Sequence, residues 1–486
     1  MEAVMAVIAS LEDRQAELSR ILARQHHAFL RDGPPGVRQR REDLRRLKGE
    51  ILRRRQDIAR ALNADFGQRS ARETAIVELV PLVRAINYLS RHLPGWMKPE
   101  RRRVSPYFLF GRAWVVRQPV GVVGIVAPWN YPVSLALVPL ATAIAAGNRA
   151  MIKPSELTPA TSAVIRTIVE AVFPADQAAV VTGDADVGAL FAALPFDHLL
   201  FTGSTAVGRK VAVAAGHNLT PVTLELGGKS PAVIEPGFLP LRAAEQIVFG
   251  KLTNGGQTCI APDYVLIHED DRDAFVEACG RVVAKRYPCG FSGSADYTGV
   301  VNAHHYDRLA GLVRDAGERG ARIVRLGREE PGRGQCGRAA GARVMAPVLL
   351  LDVTPQMAVM QEEIFGPVLP VLTYRTIDEA IAFINDRPRP LALYYFGTQS
   401  SLQDRVLERT ISGDVTINGT LLHYAQDDLP FGGVGASGMG AYHGREGFMA
   451  LTHPRGIYRQ GRWNAATLLR PPFGRLTDIL TGFLLR

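Results

Sequence analysis

The sequence predicts an α/β protein with parallel sheets, divided into more than one domain. Three observations carry this. At 486 residues the chain is too long for one ordinary core, so two or three domains are expected. Apolar residues at 47% and charged residues at 21% are those of a globular protein. From residue 115 onward, short apolar runs alternate with helical patterns, the signature of parallel strands joined by helices.

Taken in order, residues 2–30 and 37–63 read as helices, separated by Asp32-Gly33-Pro34-Pro35-Gly36. Residues 71–94 form a third, with apolar spacing at Ile76, Leu79, Leu82 and Ile86. Residues 120–127 are a continuous apolar run, as in a strand buried on both faces. Helix 133–146, strand 149–153, helix 158–172, strands 178–181 and 198–201, helix 205–215 and strand 222–226 follow. A second α/β series runs from about 230 to 420 and includes helix 243–252 and strand 264–267. Residues 118–148 carry no charge, a length that could span a bilayer. Pro128, Pro132 and Pro139, with Gly121 and Gly124, interrupt it, so it reads as a buried strand, a turn and a buried helix. The apolar end at 479–485 is too short to cross a membrane.

The net charge of +10 raises the question of nucleic acid, and its distribution answers it. Residues 31–60 hold 11 Arg/Lys against 5 Asp/Glu, interleaved on a helical pattern as on a solvated face. Residues 455–486 add six Arg against one Asp. No nucleic-acid motif accompanies either cluster, so no nucleic-acid partner is expected, although a basic face favours an anionic cofactor or substrate. Cys259, Cys279, Cys289 and Cys336 show no paired spacing and the histidines no ligand-spaced cluster, so neither a disulfide framework nor a metal site is expected. His304-His305 reads as surface. Residues 1–11 lack the basic start of a signal peptide. Together with the cysteine usage this predicts a cytoplasmic protein.

Two stretches carry chemistry. Asn254-Gly255-Gly256-Gln257-Thr258-Cys259 puts a thiol on a glycine-flanked turn between a helix and a strand. Val222-Thr223-Leu224-Glu225-Leu226-Gly227-Gly228 puts a carboxylate at the end of an apolar strand beside two glycines. A thiol nucleophile and a base, each on a glycine-bounded turn, are the parts of covalent catalysis. An inert buried cysteine and a solvated glutamate are the alternative. Gly203-Ser204-Thr205-Ala206-Val207-Gly208 follows a strand and opens a helix, where free amides and the helix dipole suit a phosphate.

These stretches closely resemble the two active-site signatures of the aldehyde dehydrogenase superfamily. Further segments match in family order. They are Pro128-Trp129-Asn130-Tyr131-Pro132, Lys153-Pro154-Ser155-Glu156, Phe201-Thr202-Gly203-Ser204, Glu362-Glu363-Ile364-Phe365-Gly366-Pro367-Val368 and Pro430-Phe431-Gly432-Gly433-Val434-Gly435-Ala436-Ser437-Gly438-Met439-Gly440. The resemblance covers about residues 40–455.

It implies oxidation of an aldehyde to a carboxylic acid with NAD, NADP being tolerated. Cys259 would be the nucleophile, Asn130 the side-chain donor to the oxyanion, and Glu225 the base that activates water. For the cofactor, Lys153 and Glu156 would hold the adenine ribose and Gly203, Ser204 and Gly208 the pyrophosphate. Glu363 would hold the nicotinamide ribose with Phe365 beside the ring, and Trp129 and Gly227 would line the crevice. The implied architecture is a Rossmann-like cofactor domain (1–100 and 120–227), an α/β catalytic domain (228–425), a small β oligomerisation hairpin (101–119 with 426–460) and a tail (461–486). Gly438-Met439-Gly440-Ala441-Tyr442-His443-Gly444 and Thr452-His453-Pro454 resemble the class 3 branch, which implies a homodimer acting on aromatic or medium-chain aldehydes. Within it, Asn63-Ala64-Asp65-Phe66-Gly67, Ile86-Asn87-Tyr88 and Trp96-Met97-Lys98-Pro99 resemble bacterial coniferyl aldehyde dehydrogenases. Two alternatives stay open: a relative that passes the acyl group to coenzyme A, and a cysteine hydrolase without a dinucleotide.

Overall fold

A computed structural model describes residues 2–105, 108, 110–292, 294–327, 343–462, 467, 468 and 470–485. Cys336 lies outside the described residues.

The amino-terminal third is helical: Glu2–Asp32, Val37–Arg53, Arg55–Phe66, then Ala71–Thr74 running into Val80–Trp96. Leu44, Leu47, Ile51, Ile58 and Leu62 are fully buried, so the apolar stripe of the basic segment docks onto the core. Its opposite face is not wholly solvated as expected. Arg40 is buried because its guanidinium donates to the carbonyls of Pro35 (2.7 Å) and Ala145 (3.0 Å). The third predicted helix is also corrected. Ala75–Leu79 is a π-turn, and Ile76 is 62% exposed rather than core. The wider turn shifts the helical phase by one residue, so the stripe begins at Leu79.

Five strands form a parallel sheet in the order Ala178–Val180, Arg149–Lys153, Val122–Val126, His198–Thr202, Val222–Glu225, closed by the antiparallel Gly438–Met439. The charge-free stretch becomes the central strand Val122–Val126 and the helix Pro132–Ala146, every residue of which is buried. No described helix is long and apolar enough to cross a membrane.

The second α/β series builds a seven-stranded sheet in the order Arg322–Arg325, Val348–Leu351, Val368–Tyr374, Tyr264–His268, Pro231–Ile234, Ala392–Phe396, Asp414–Ile417. All its pairs are parallel except the first. A third, antiparallel sheet joins Glu100–Arg102, Arg112–Pro119 and Thr452–Arg459. The tail carries the helix Arg475–Leu484, which has no buried residue.

Candidate active site

The carboxyl ends of parallel strands are where open α/β sheets bind ligands. Lys153 ends one strand of the six-stranded sheet. Trp129 and Asn130 follow the next, Gly203 follows the third, and Glu225 ends the fourth.

Cys259 is held from both sides. After the helix Pro240–Leu252 the chain turns left-handed through Asn254 (φ 54°), Gly255 (φ 60°) and Gly256 (φ 78°). A side chain at Gly256 would meet the Gly366 carbonyl at 2.3 Å, so glycine is required there. Gln257 is fully buried and satisfied. Its amide donates to the carbonyls of Asn254 (2.8 Å) and Gly299 (3.0 Å), and its Oε1 accepts from the Val301 N–H (2.9 Å). The Thr258 hydroxyl meets the Tyr131 hydroxyl at 2.6 Å, and the Tyr394 hydroxyl donates to the Ile260 carbonyl. The thiol is half-buried and sits among acids. Burial, then Glu363 and Glu225, push it up to about 12, partly offset by the N–H groups of Cys259 and Ile260.

Asn130 is brought onto this turn. Its Nδ2 donates to the Gln257 carbonyl (3.2 Å), while its own carbonyl accepts from Asn254 Nδ2 (3.0 Å) and Arg69 Nη1 (2.9 Å). Arg69 is wholly buried and pairs with buried Glu78 at 3.4 Å; Glu78 in turn accepts the Ser134 N–H at 2.7 Å. Sequence reasoning missed Arg69, Glu78 and Gln257. Only Gln257 lay in a quoted motif, and nothing near the other two signals their burial.

Glu225 is 2% exposed and neither carboxylate oxygen has a protein partner. Burial first, then the carboxylate of Asp414, pushes it well above the usual carboxylate range.

Glu363 and Gly227 fit together. A side chain at Gly227 would lie 2.1 Å from Glu363 Oε2, and the Gly228 N–H donates to the Glu363 carboxyl. Burial and Asp263 raise Glu363 to about 8. The following Phe365 has φ 51°, an unfavourable conformation for a bulky residue. It is held there by the Ile364 N–H on Asp263 Oδ1 (3.0 Å) and by Arg308 Nη2 on the Ile364 carbonyl (2.5 Å). Its ring meets Trp129 edge-on at 5.3 Å. His305 packs on the same indole at 5.0 Å, which corrects its expected place on the surface; Trp129 and the neighbouring backbone half-bury it.

Lys153 Nζ contacts Glu156 Oε2 at 2.5 Å, with the lysine buried and the glutamate open to solvent. Ser204 caps the helix Thr205–His217 by accepting the Val207 N–H (3.4 Å), and that helix has no acid in its first turn. Side chains at Gly203 and Gly208 would strike Phe201 and Leu226 at 2.6 and 2.5 Å. The glycines therefore have a packing reason besides any ligand. The same bareness leaves an uncluttered, uncharged helix start, the chemistry a pyrophosphate needs, so this donor set fits a dinucleotide.

The profile of the aldehyde dehydrogenase family matches residues 3–457. The chain belongs to this family. It is 48% identical to a probable coniferyl aldehyde dehydrogenase of Pseudomonas aeruginosa, covering 97% of this chain and 98% of that one. A coniferyl aldehyde dehydrogenase of Pseudomonas sp. is 43% identical, covering 96% of each. Among solved structures, substrate-bound AldH of Staphylococcus aureus matches with a TM-score of 0.88 at 38% identity, over 96% of this chain and 99% of that one. This aldehyde dehydrogenase is thus an oxidoreductase that oxidises aldehydes with NAD(P) through a cysteine thiohemiacetal, as its family does.

Proposed function

We propose that this chain oxidises a cinnamaldehyde-type aromatic aldehyde, coniferyl aldehyde foremost, to its acid in the cytoplasm, with medium-chain aliphatic aldehydes as secondary substrates. The substrate class rests on the relatives' names and on the phenols of Tyr131, Tyr394, Tyr424 and Tyr442, all close enough to feel charge on Cys259. Among the described residues the three cysteines are free, in keeping with a reducing compartment. The domain division is the one set out above, with the three-stranded sheet serving a homodimer.

Cys259 attacks the carbonyl carbon as thiolate. Asn130 has one N–H on the Gln257 carbonyl and a second to give the oxyanion. Lys153, Glu156, Gly203, Ser204, Gly208, Gly227, Glu363, Phe365 and Trp129 would hold NAD(P), which would supply the hydride acceptor, so that Cys259 is left carrying a thioester. Glu225 then takes a proton from water, the hydroxyl adds to the acyl carbon and the C–S bond breaks. The observation that carries this reading is the buried Glu225 carboxyl with both oxygens unpartnered beside Cys259. Such a group is available to water, which favours hydrolysis over transfer to coenzyme A.

The test is rapid mixing with NAD and coniferyl aldehyde. Glu225→Gln should release one fast NADH per site and then stall as acyl-enzyme, its hydrolysis slowed about 10²–10⁴-fold. Cys259→Ala should release none while still binding NAD. A Gln variant that turns over freely would remove Glu225 from the role of base.

A further inference from the structure

Asp414 opens the edge strand Asp414–Ile417, and nothing in the chemistry above uses it. Its backbone N–H donates to the Leu391 carbonyl at 2.9 Å, in register with Ala392. Its carboxyl accepts the N–H of Gly432, while Oδ2 is buried without a partner. Gly432 begins a glycine-rich hairpin whose other arm serves Glu225. Gly438 lies opposite Glu225 in antiparallel register, and the Leu226 N–H donates to the Ser437 carbonyl at 3.1 Å. The two arms touch. A side chain at Gly432 would fall 2.0 Å from the Gly440 carbonyl oxygen, and one at Gly433 2.0 Å from that of Ser437. The buried Glu225 carboxyl and the half-buried Asp414 carboxyl, with three buried oxygens unpartnered between them, therefore flank one tight hairpin.

We propose that Asp414 is the partner carboxylate of Glu225, its charge acting on Glu225 across this hairpin, and that Asp414 thereby sets the strength of the base in thioester hydrolysis. It is a positioning residue acting through Glu225, so the proposal rests on Glu225 being the base. Two carboxyls whose charges act on one another across a tight hairpin do not ionise independently. Burial pushes Asp414 up to about 6, so above that pH its charge holds a proton on Glu225. Among the described residues, Cys259 and Tyr442 face the Glu225 side and Tyr394 the Asp414 side, all kept neutral by burial, while the Arg389 side chain lies against Gly435 of the hairpin. The reaction balances without a further reactant. Water gives its proton to Glu225 and its hydroxyl to the acyl carbon, the C–S electron pair returns to sulfur, and sulfur recovers a proton from Glu225.

The experiment follows decay of the acyl-enzyme, after a single NADH burst, across pH. Asp414→Asn keeps an oxygen for the Gly432 N–H and removes only the charge. The acid limb of hydrolysis should move to lower pH by on the order of one unit. The plateau should fall roughly threefold as the base weakens, with one NADH per site still released. Asp414→Ser serves if the Asn variant does not fold, and should move the limb the same way. A limb that coincides with wild type overturns the proposal, as does a loss of burst and hydrolysis together with no movement of the limb. Glu225→Gln run alongside separates the two claims. If it stalls while Asp414→Asn behaves as wild type, the base stands and the pair falls; if it does not stall, the base itself falls.

Discussion

Glu156 shows how one side chain can select a cofactor. Lys153 is buried and its ammonium is met by the Glu156 carboxylate at 2.5 Å. A ribose with two hydroxyls can donate to that carboxylate, whereas a 2′-phosphate would bring like charge against it. The Glu156 side chain is 39% exposed, so it can swing into water and soften the penalty. NAD should therefore be preferred with NADP tolerated. Glu156→Gln should raise kcat/KM for NADP relative to NAD by on the order of tenfold. Steady-state kinetics with both cofactors check this, and a wild-type preference for NADP would show that Glu156 faces away from the ribose.

At the scale of elements, the active-site turn depends on a buried ion pair set by a π-turn. Ala75–Leu79 carries Glu78 inward to meet Arg69 and the Ser134 N–H, and Arg69 then holds the Asn130 carbonyl. Removing one partner of a wholly buried pair leaves a charge without compensation. Arg69→Met should cost about 3–5 kcal/mol in urea unfolding. Adding Glu78→Leu should recover most of that stability. Activity should stay low in the double variant, because the Asn130 carbonyl then keeps only the Asn254 amide of its two donors. Recovery of both together would mean that Arg69 matters only for folding. None of this was legible in the sequence. The alternation of strands and helices was, because buried parallel strands such as Val122–Val126 are apolar throughout and announce themselves locally. Cys259, Glu225 and Asn130 could be singled out as candidates because each stands in a recognisable motif. Arg69, Glu78, His305 and Asp414 take their meaning from partners distant in the chain, and the π-turn misplaced Ile76 because a helical period cannot reveal an extra residue in one turn.

At the scale of the molecule, two of the edge strands among the described residues stand out. Thr452–Arg459 ends the three-stranded sheet and is exposed over most of its length. Asp414–Ile417 ends the seven-stranded sheet, with Val415 36% and Ile417 40% exposed. An open edge with apolar side chains invites another strand and is seldom left bare. A two-fold axis disposes of both at once, since each edge of one copy can take the other edge of its partner and the assembly closes at two. The proposed homodimer then has a specific weak point. Val415→Lys with Ile417→Lys should place two like charges on each joined edge and shift sedimentation equilibrium from dimer to single chain at micromolar protein. The link to chemistry is direct, because Asp414 begins that strand and pairs through Gly432 to the hairpin opposite Glu225. Losing the partner should loosen Asp414, so the dissociated variant should keep its NADH burst and hydrolyse the acyl-enzyme slowly. A double-lysine protein that remains dimeric would place the interface elsewhere. One that is monomeric with wild-type hydrolysis would show that the edge strand positions Asp414 without help from a second copy.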